Sequence, residues 1–367
     1  MQKQISKQKP KLPPFKIIRG VNAIRDGLMK AAQKMIPPPV ALLDLVSRIW
    51  VAQAVGTVAR YGIADHINGP TSVEQLAKKV DVNADALYRV LRALTVVGVC
   101  VEHPDQRFSL TAIGNCLKTD HPQSMRHMVI FQTELNWPHW GQIDHCLKTG
   151  TNAVEKVRGL KPFEYLSKNP RDAEIFDKAM VNVSGLEVDT ILAAYDFGPY
   201  QTIADIGGGY GPFLSAVLHL NPKAKGILFD MPHVIKGASE FLKKENLSDR
   251  VRIEGGSFFD SIPEGADAYM MKHIIHDWSD EHSQKILKNI RAKMKSTAKL
   301  LLIEAVVPGP NEVDFSKFLD LEMLVVTEGG KERTKAEFEK LFASAGFQLE
   351  RIVPTISMAQ VIEARPV

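Results

Sequence analysis

The 367-residue chain contains only three cysteines, Cys100, Cys116 and Cys146, and none of them forms a C-x-x-C pair. Cysteines this sparse exclude a disulfide scaffold and fit a reducing compartment. The N-terminus carries no apolar signal core, and no apolar run approaches the length of a membrane span. These absences predict a soluble, cytoplasmic protein without a membrane partner.

The net charge is only +4 at pH 7, and most of the excess lies near the N-terminus, where Asp26 is the only acid among the first 35 residues. The first dozen residues are rich in lysine, glutamine and proline, a composition typical of disorder. We therefore expect a basic, flexible arm over residues 1–35. The remaining length exceeds one typical domain and favours two.

Residues 36–118 predict a mostly helical domain. Its first helix, after Pro37-Pro38-Pro39, is apolar on several faces and should be buried by other helices or by a second subunit. Residues 72–117 then follow a helix, helix, hairpin order, which is a winged-helix outline. Residues 119–190 predict a helical connector, and a connector naturally lines a ligand cleft. From residue 191 to 367, strands alternate with helices, which indicates a doubly wound α/β sheet.

A winged-helix outline also raises the alternative of a DNA-binding regulator, whose second helix would read the bases. That helix, residues 84–97, presents an apolar stripe and leaves only Asn83, Arg89 and Arg92 as candidate DNA contacts. A DNA-reading helix generally has a denser basic and polar face. The sequence therefore favours a module that packs subunits together, with no nucleic-acid partner.

The segment DIGGGYG, residues 205–211, joins a predicted buried strand to an amphipathic helix. Glycine at Gly207 and Gly209 permits positive φ angles and a close approach of the backbone to a ligand. The spacing departs from the dinucleotide fingerprint G-x-G-x-x-G, and no G-K-[ST] follows, so an adenosyl ligand without a pyrophosphate fits better. Asp205 and Asp230 end successive strands, and Asp230 comes where a carboxylate meets ribose hydroxyls.

A second polar cluster, KHIIHDWSDEH, follows the strand predicted over residues 267–271. His276 is suited to act as a general base because an imidazole accepts a proton near neutral pH. Glu304 and Glu332, at the ends of later elements, could orient the ring and stabilise its charged form. A metal site at His273, His276, Asp277, Asp280 and His282 lacks a recognised ligand arrangement, so we expect no metal.

These motifs resemble those of the S-adenosylmethionine-dependent O-methyltransferases related to the plant caffeic-acid and flavonoid enzymes, in their bacterial branch. The matching segments are DIGGGYG (205–211), FDMPHV (229–234), HDWSDEH (276–282) and GGKERTKAEFEKLFASAGF (329–347). The resemblance implies a Rossmann-like methyltransferase domain, residues 191–367, preceded by a winged-helix-like dimerisation domain. It further implies a homodimer, S-adenosylmethionine as cofactor and S-adenosylhomocysteine as product.

By the same resemblance, Asp205, Gly207 and Gly209 would hold the methionine end of the cofactor. Asp230 and Met231 would take the ribose and the adenine edge, Phe258 would pack on the adenine, and Lys272 would reach the cofactor side. His276 would be the base between Glu304 and Glu332. The implied acceptor-pocket candidates are Trp137, Phe163, Phe176, Met180, Asn182, Trp278 and Met323.

One position departs from the family pattern, because Ser257 stands where an acid commonly binds the adenine amino group. A serine hydroxyl is shorter and uncharged, and we expect Asp260 to compensate. The resulting hypothesis is methylation of a hydroxyl, most simply a phenol, on a small aromatic or polyketide-like metabolite. Decarboxylation or hydroxylation by a relative of the same fold that binds the same cofactor stays open as an alternative.

Overall fold

The structure is a computed structural model that describes Leu12 and residues 15–367. Residues 1–11, expected to be disordered, lie outside the described part of the chain. Within the segment predicted to be a flexible arm, Phe15–Lys34 forms helix α1. The sequence analysis missed this helix, although apolar side chains recur there at helical spacing, at Ile17, Val21, Ile24 and Leu28.

The described chain divides into two compact units. The first comprises residues 23–142 and 163–186, and the second comprises residues 15–22, 143–162 and 187–367. The elements that follow α1 are α2 (Pro38–Arg60), β1 (Thr71–Ser72), α3 (Val73–Val80), α4 (Ala84–Thr95), β2 (Cys100–His103), β3 (Arg107–Leu110), α5 (Ala112–Asn115), α6 (Arg126–Ile130), α7 (Trp137–Trp140), α8 (Ile143–Thr149), α9 (Ala153–Arg158), α10 (Pro162–Lys168) and α11 (Pro170–Ala194).

The first unit contains the predicted helix, helix, hairpin order. Ser72 caps α3 by accepting the Gln75 N–H, and Asn83 caps α4 by accepting the Ala86 N–H. The hairpin strands β2 and β3 pair antiparallel, and β1 joins them in a three-stranded sheet. The apolar faces of α3 and α4 meet in a core that includes Leu76, Leu91 and Phe108. The structure thus confirms the secondary structure predicted for this segment.

Helix α2 is apolar as expected, but the first unit buries only its C-terminal end, around Val58 and Ala59. The described residues contain one helix, α2, that is long and apolar enough to cross a membrane by length and composition alone. The prediction that no apolar run approaches that length was therefore wrong, because the Asp44 and Arg48 charges interrupt the sequence without lowering the mean hydropathy enough.

Two of the three candidate DNA contacts on α4 have other partners. The Asn83 side chain accepts the Ala86 N–H at 2.9 Å, and the Arg92 guanidinium lies over the Tyr88 ring, 5.2 Å from its centroid. Both interactions are internal to the helix and its cap. They favour a structural role for this face, and the absence of a nucleic-acid partner stays a prediction.

The second unit is built on an eight-stranded sheet with the order β10-β11-β8-β7-β4-β5-β6, to which β9 adds by pairing with β8. Its strands are β4 (Thr202–Ile206), β5 (Lys225–Asp230), β6 (Val251–Gly255), β7 (Ala268–Lys272), β8 (Lys299–Val307), β9 (Arg333–Thr334), β10 (Phe347–Val353) and β11 (Ala359–Pro366). The pairs of β4 with β5 and β7, of β5 with β6, and of β7 with β8 are parallel, whereas β11 runs antiparallel to both neighbours. The doubly wound prediction is confirmed, with one antiparallel strand added.

Helices cover both faces of this sheet, because successive strand residues are apolar and buried on opposite sides. The helices are α12 (Pro212–Leu220), α13 (Ala238–Lys244), α14 (Asp280–Lys293), α15 (Ser316–Val326) and α16 (Lys335–Ser344). Side chains of α14 and α16 pack on one face, and side chains of α12, α13 and the end of α11 pack on the other. The strand order reverses between β4 and β7, and ligands of such sheets bind at the carboxyl ends beside that switch point.

Candidate active site

The glycine-rich turn leaves the carboxyl end of β4 at the switch point. Gly207 and Gly209 have φ angles of 74° and 62°, in the left-handed region that favours glycine. A Cβ on Gly207 would lie 2.7 Å from the Ile274 side chain, whereas a Cβ on Gly209 would point into open space. The turn therefore packs closely against the neighbouring loop at Gly207 and borders open space at Gly209.

Asp205, the last residue but one of β4, is buried, and its Oδ2 accepts no hydrogen bond from any described residue. Burial raises the pKa of this carboxyl to about 7, against the opposing charge of Lys272. A buried oxygen of this kind can still accept from a donor, which a ligand can supply. Asp205 thus fits the cationic end of an amino-acid-bearing cofactor.

Asp230 ends β5 and holds the glycine-rich turn in place. Its Oδ2 accepts the Gly209 N–H at 2.8 Å, and its Oδ1 accepts the Met231 N–H at 2.7 Å. Burial raises the pKa of Asp230, and the two backbone donors oppose that effect. The carboxylate therefore links the two strand ends that were predicted to face the same ligand.

Lys272 and His273 meet a carboxylate that the sequence analysis missed. Glu187, on α11, lies 3.4 Å from Lys272 Nζ and 2.7 Å from His273 Nε2. Burial works against the charge of Glu187, but His273 and Lys272 outweigh it and lower the pKa to about 2. The predicted contact of Lys272 with the cofactor stays a prediction. No feature of the sequence distinguishes Glu187 from the other acids of that helix.

His276 lies on a 3₁₀ turn, Ile275–Asp277, just past the carboxyl end of β7. Its Nδ1 is 2.7 Å from Glu332 Oε1 and 3.7 Å from Glu304 Oε2. When Nδ1 donates its proton to Glu332, Nε2 carries the lone pair of the neutral ring. The structure brings together the three residues predicted to form the proton-transfer group.

The charges around His276 favour its protonated form. Burial lowers the pKa, but the charges of Glu304 and Asp277 and the hydrogen bond to Glu332 outweigh it and raise the pKa to about 10. Burial also raises the pKa of Asp277 to about 6. An imidazolium formed here by proton transfer would therefore be strongly stabilised.

Glu304, on β8, supports the backbone that carries His276. Its Oε1 accepts the N–H groups of Ile274 and Ile275, at 3.0 and 2.8 Å. We call residues 273–278 the His276 loop. Because His273 in this loop has a φ of 54°, the backbone turns sharply where it leaves β7. Glu304 satisfies the two amides that follow this turn, so its role includes the backbone as well as the ring.

Two families of known proteins match this chain. The O-methyltransferase domain family matches residues 140–348, and the O-methyltransferase dimerisation domain family matches residues 43–120. The chain belongs to the O-methyltransferase family. It is 40% identical over 333 residues to the phenazine O-methyltransferase PhzM of Lysobacter antibioticus, covering 90% of this chain and 97% of that one.

Another relative methylates nitrogen by its name, the 8-amino-8-demethylriboflavin N,N-dimethyltransferase of Streptomyces davaonensis, at 35% identity over 86% of this chain and 92% of its own. Among solved structures, LaPhzM superposes with a TM-score of 0.86 at 40% identity, over 90% of this chain and all of that one. The structure of NcsB1 in complex with S-adenosylmethionine and 2-hydroxy-5-methyl naphthoic acid superposes with a TM-score of 0.76 at 30% identity. The superposition covers 86% of this chain and 96% of NcsB1. This chain is an S-adenosylmethionine-dependent O-methyltransferase of secondary metabolism, as predicted.

The residues assigned to the adenine follow the ends of two strands in this methyltransferase, Met231 after β5 and Ser257, Phe258 and Asp260 after β6. Ser257 Oγ accepts the Phe259 N–H at 3.2 Å, so the hydroxyl has a local partner in its own turn. The Phe258 ring packs edge-on against Phe259 and Trp278. Asp260 is exposed, and Met231 is 41% exposed. The adenine contacts of these residues stay predictions.

The acceptor-pocket candidates are divided between the two units of the methyltransferase. Trp278 lies in an aromatic cluster with Phe258 and Phe259, and Met323 is buried on α15; both belong to the second unit. In the first unit, Asn182 accepts the Met128 N–H and the Phe176 ring packs on Phe131. The other first-unit candidates are Trp137, Phe163 and Met180. The acceptor pocket itself stays a prediction.

His273, His276 and Glu304 lie close enough to hold a metal ion, with one donor atom of each within 4.8 Å of the others. The two imidazole planes, however, lie within 29° of parallel, so their in-plane lone pairs do not converge. His276 Nδ1 is also committed to Glu332. The other histidine and acid of the predicted cluster lie elsewhere, because Asp280 binds Arg333 and His282 contacts Ser279. We therefore propose no metal here.

Proposed function

We propose that this methyltransferase transfers a methyl group to a phenolic hydroxyl of a fused-ring aromatic metabolite, with His276 as the general base. The observation that carries the proposal is the buried His276 ring with Nδ1 2.7 Å from Glu332 and the Glu304 carboxylate behind it. This arrangement leaves Nε2 to take a proton. It is the geometry that a positioned base requires.

In the proposed reaction, Nε2 of neutral His276 accepts the hydroxyl proton as the hydroxyl oxygen forms its bond to the methyl carbon. When bound, S-adenosylmethionine supplies that methyl group from its sulfonium. A phenol suits this step, because its pKa of about 10 is close enough to that of an imidazole for the ring to assist. The resulting imidazolium is stabilised by Glu332, Glu304 and Asp277. The proton then leaves to solvent.

The cofactor assignments follow from the switch-point geometry. Asp205 Oδ2 would accept from the cofactor's ammonium group, since the described residues leave that buried oxygen without a donor. The open space at Gly209 would receive the backbone-facing part of the cofactor. Asp230 would turn toward the ribose hydroxyls while keeping the turn closed. Each of these contacts is a proposal about residues at the ends of β4 and β5, where the Gly209 N–H already donates to Asp230.

The acceptor class rests on the names of relatives. PhzM is named for phenazine, and NcsB1 was crystallised with a hydroxynaphthoic acid, so both act on or bind fused aromatic rings. Trp278, which packs with Phe258 and Phe259, would supply a flat apolar contact to such a ring. We therefore propose a hydroxylated fused-ring aromatic as the acceptor.

The test is incubation with S-adenosylmethionine and a panel of hydroxyphenazines, hydroxynaphthoates and flavonoids, followed by mass spectrometry. The expected product gains one methyl group with matching S-adenosylhomocysteine. His276→Ala should bind cofactor normally but turn over about 10²–10⁴-fold more slowly. His282→Ala, at an exposed position, is the control. Full turnover in His276→Ala would reject the base assignment.

One alternative has a specific observation behind it, namely methylation of an aromatic amine. The riboflavin-type relative carries N,N-dimethyltransferase in its name. A weakly acidic arylamine loses its proton only after methylation, so it needs the base less than a phenol does. Aminophenazines in the same panel would separate the two, because N-methylation should persist in His276→Ala.

We also propose that the protein is a homodimer assembled through the first unit and located in the cytoplasm. The dimerisation family match spans residues 43–120, and the part of α2 inside it exposes Leu43, Val46 and Trp50. Side chains of this size are costly to leave in water, so a second copy is the natural cover. None of Cys100, Cys116 and Cys146 forms a disulfide within the described part of the chain, which fits a reducing compartment.

A further inference from the structure

Arg333 is a charged side chain with almost no contact with solvent. It lies on β9, is 1% exposed, and is among the largest fully buried side chains of the described chain. Burying a guanidinium is costly unless every donor is satisfied and the charge is compensated. Its partners therefore show what this position is built to hold.

All five donors of Arg333 have acceptors. Nε donates to Asp280 Oδ1 at 3.0 Å, Nη1 to the carbonyls of Ile275 and Lys331, and Nη2 to the carbonyl of Trp278 and to Ser283 Oγ. Asp280 compensates the charge, with its Oδ1 2.9 Å from Nη2. Two of these acceptors, Ile275 O and Trp278 O, belong to the His276 loop and flank His276.

The His276 loop is thus held from two directions. Glu304 accepts the N–H groups of Ile274 and Ile275, and Arg333 donates to the carbonyls of Ile275 and Trp278. The neighbour of Arg333 on the chain is Glu332, the acceptor of His276 Nδ1. Residues 332 and 333 therefore fix both the ring of His276 and the backbone that carries it.

We propose that Arg333 is a positioning residue for methyl transfer, one that holds the His276 loop so that the imidazole stays in contact with Glu332. This inference rests on the proposed role of His276 as the base. Arg333 has no contact with the imidazole in the described structure and acts through the loop alone. A lysine cannot replace it, because an ammonium has three donors and no planar fork to reach both carbonyls.

The first test is Arg333→Lys in the full-length protein, compared with Arg250→Lys. Arg250 also donates to several backbone carbonyls, those of Leu218, Asn221 and Ala224, but it precedes β6 at the amino ends of the strands. Arg250 is part-buried and Arg333 is fully buried, but both variants lose hydrogen bonds to several backbone carbonyls, so both should lower Tm. Only Arg333→Lys should lower kcat, by about 10–100-fold, because small misplacements of a reacting group cost that much.

A second readout is the pH profile of kcat/KM. The charged and titratable groups that face His276 are Glu304, Glu332, Asp277 and His273. If the loop loosens and the contact with Glu332 lengthens, the acid limb of the profile should move to lower pH in Arg333→Lys. If Arg333 only stabilised the fold, its substitution would lower Tm without moving the acid limb.

Ser283→Ala is a milder variant for the case in which Arg333→Lys does not fold. Ser283 Oγ is an acceptor for Arg333 and lies within hydrogen-bonding distance of Ile275 O and Trp278 O. Ser283→Ala should lower kcat and move the acid limb to lower pH, both by less than Arg333→Lys does. Unchanged kcat and an unchanged limb, in Arg333→Lys or failing that in Ser283→Ala, would overturn the proposal.

The outcome for His276 is read separately. If His276→Ala loses turnover while Arg333→Lys keeps the wild-type kcat and pH profile, the positioning role fails and the base survives. If His276→Ala turns over normally, the base assignment fails, and with it the purpose of the loop. Titration with S-adenosylhomocysteine should give the wild-type affinity in His276→Ala, Arg333→Lys and Ser283→Ala. An unchanged affinity shows that these substitutions act on turnover and leave cofactor binding intact.

Discussion

Three carboxylates make the His276 imidazole a strong base and also keep it protonated near neutral pH. Glu304, Asp277 and Glu332 raise its pKa to about 10 despite its burial. In the free enzyme most molecules at pH 7 therefore hold an imidazolium, which cannot accept a proton. We expect kcat/KM to rise with pH through the neutral range, since this parameter reports the free enzyme's essential base.

Glu332→Gln tests this explanation. The amide oxygen can still accept the Nδ1 proton, but the negative charge is gone, so the pKa of His276 should fall and the acid limb of kcat/KM should move to lower pH. A limb caused by the acceptor's own hydroxyl would stay in place. Glu350→Gln, at a surface ion pair with Lys299, makes the same chemical change outside the site and should leave the profile unaltered.

The same shift has a consequence for stability. Because the folded pKa of His276 lies above its unfolded value of 6.5, its contribution is complete below pH 6.5 and is lost as pH rises toward about 10. The difference in unfolding free energy between the wild type and Glu332→Gln should therefore shrink across that window. Chemical denaturation at several pH values measures it, and a constant difference would contradict the assigned coupling.

Asp205 should show opposite effects on stability and on binding. Its folded pKa of about 7 lies above the unfolded value of 3.8, so the folded state loses stability as pH rises between these values. At pH 8, Asp205→Asn should raise the Tm of the cofactor-free protein and weaken cofactor binding. Asp249→Asn, at an exposed position, should change neither. A lower Tm with normal affinity would remove Asp205 from the cofactor site.

Among single residues, the sequence predicted the site side chains that lie at strand ends. It missed the side chains that reach the site from a helix or from a buried position. His276, Glu304 and Glu332 follow predicted strands or a glycine-led loop, so topology alone predicted that they would meet. Glu187 comes from a helix and reaches Lys272 and His273 by a packing that no local pattern encodes. Arg333 was within a quoted motif, but its burial could not be inferred because arginine is mostly exposed.

At the level of elements, helix α2 exposes large apolar side chains that nothing in the described chain covers. Its residues Leu43, Val46 and Trp50 fall on one side of the helix and are 63%, 63% and 71% exposed. The double variant Leu43→Glu/Val46→Glu should convert the proposed dimer to a monomer, because two charges would be buried without partners. Light scattering after gel filtration measures the mass. Lys288→Glu, on the exposed face of α14, should stay dimeric, and a dimeric α2 variant would place the interface elsewhere.

For the whole molecule, the sequence predicted the order of strands and helices well because alternation and glycine-rich turns are local signals. The boundaries of β4, β5 and β7 agree with the prediction to within one residue. The helix α1 was missed because its basic composition resembled that of a disordered arm. The acceptor-pocket candidates were chosen by residue type along helices of both units, and tertiary packing, which a pattern of residue types does not contain, decides which of them share a surface.

The register of the two-residue strand β9 on β8 determines where both Glu332 and Arg333 point. Arg333 pairs with Val306 of β8, and neighbouring side chains of a strand point to opposite faces, so a shift of one position along β8 would turn Arg333 toward the side on which Glu332 now contacts His276. A guanidinium would then meet the imidazole, and a carboxylate would meet the backbone carbonyls of the His276 loop. Every contact would change from attraction to repulsion at once. Insertions or deletions in residues 327–332 should therefore abolish activity, whereas conservative substitutions there should leave graded activity.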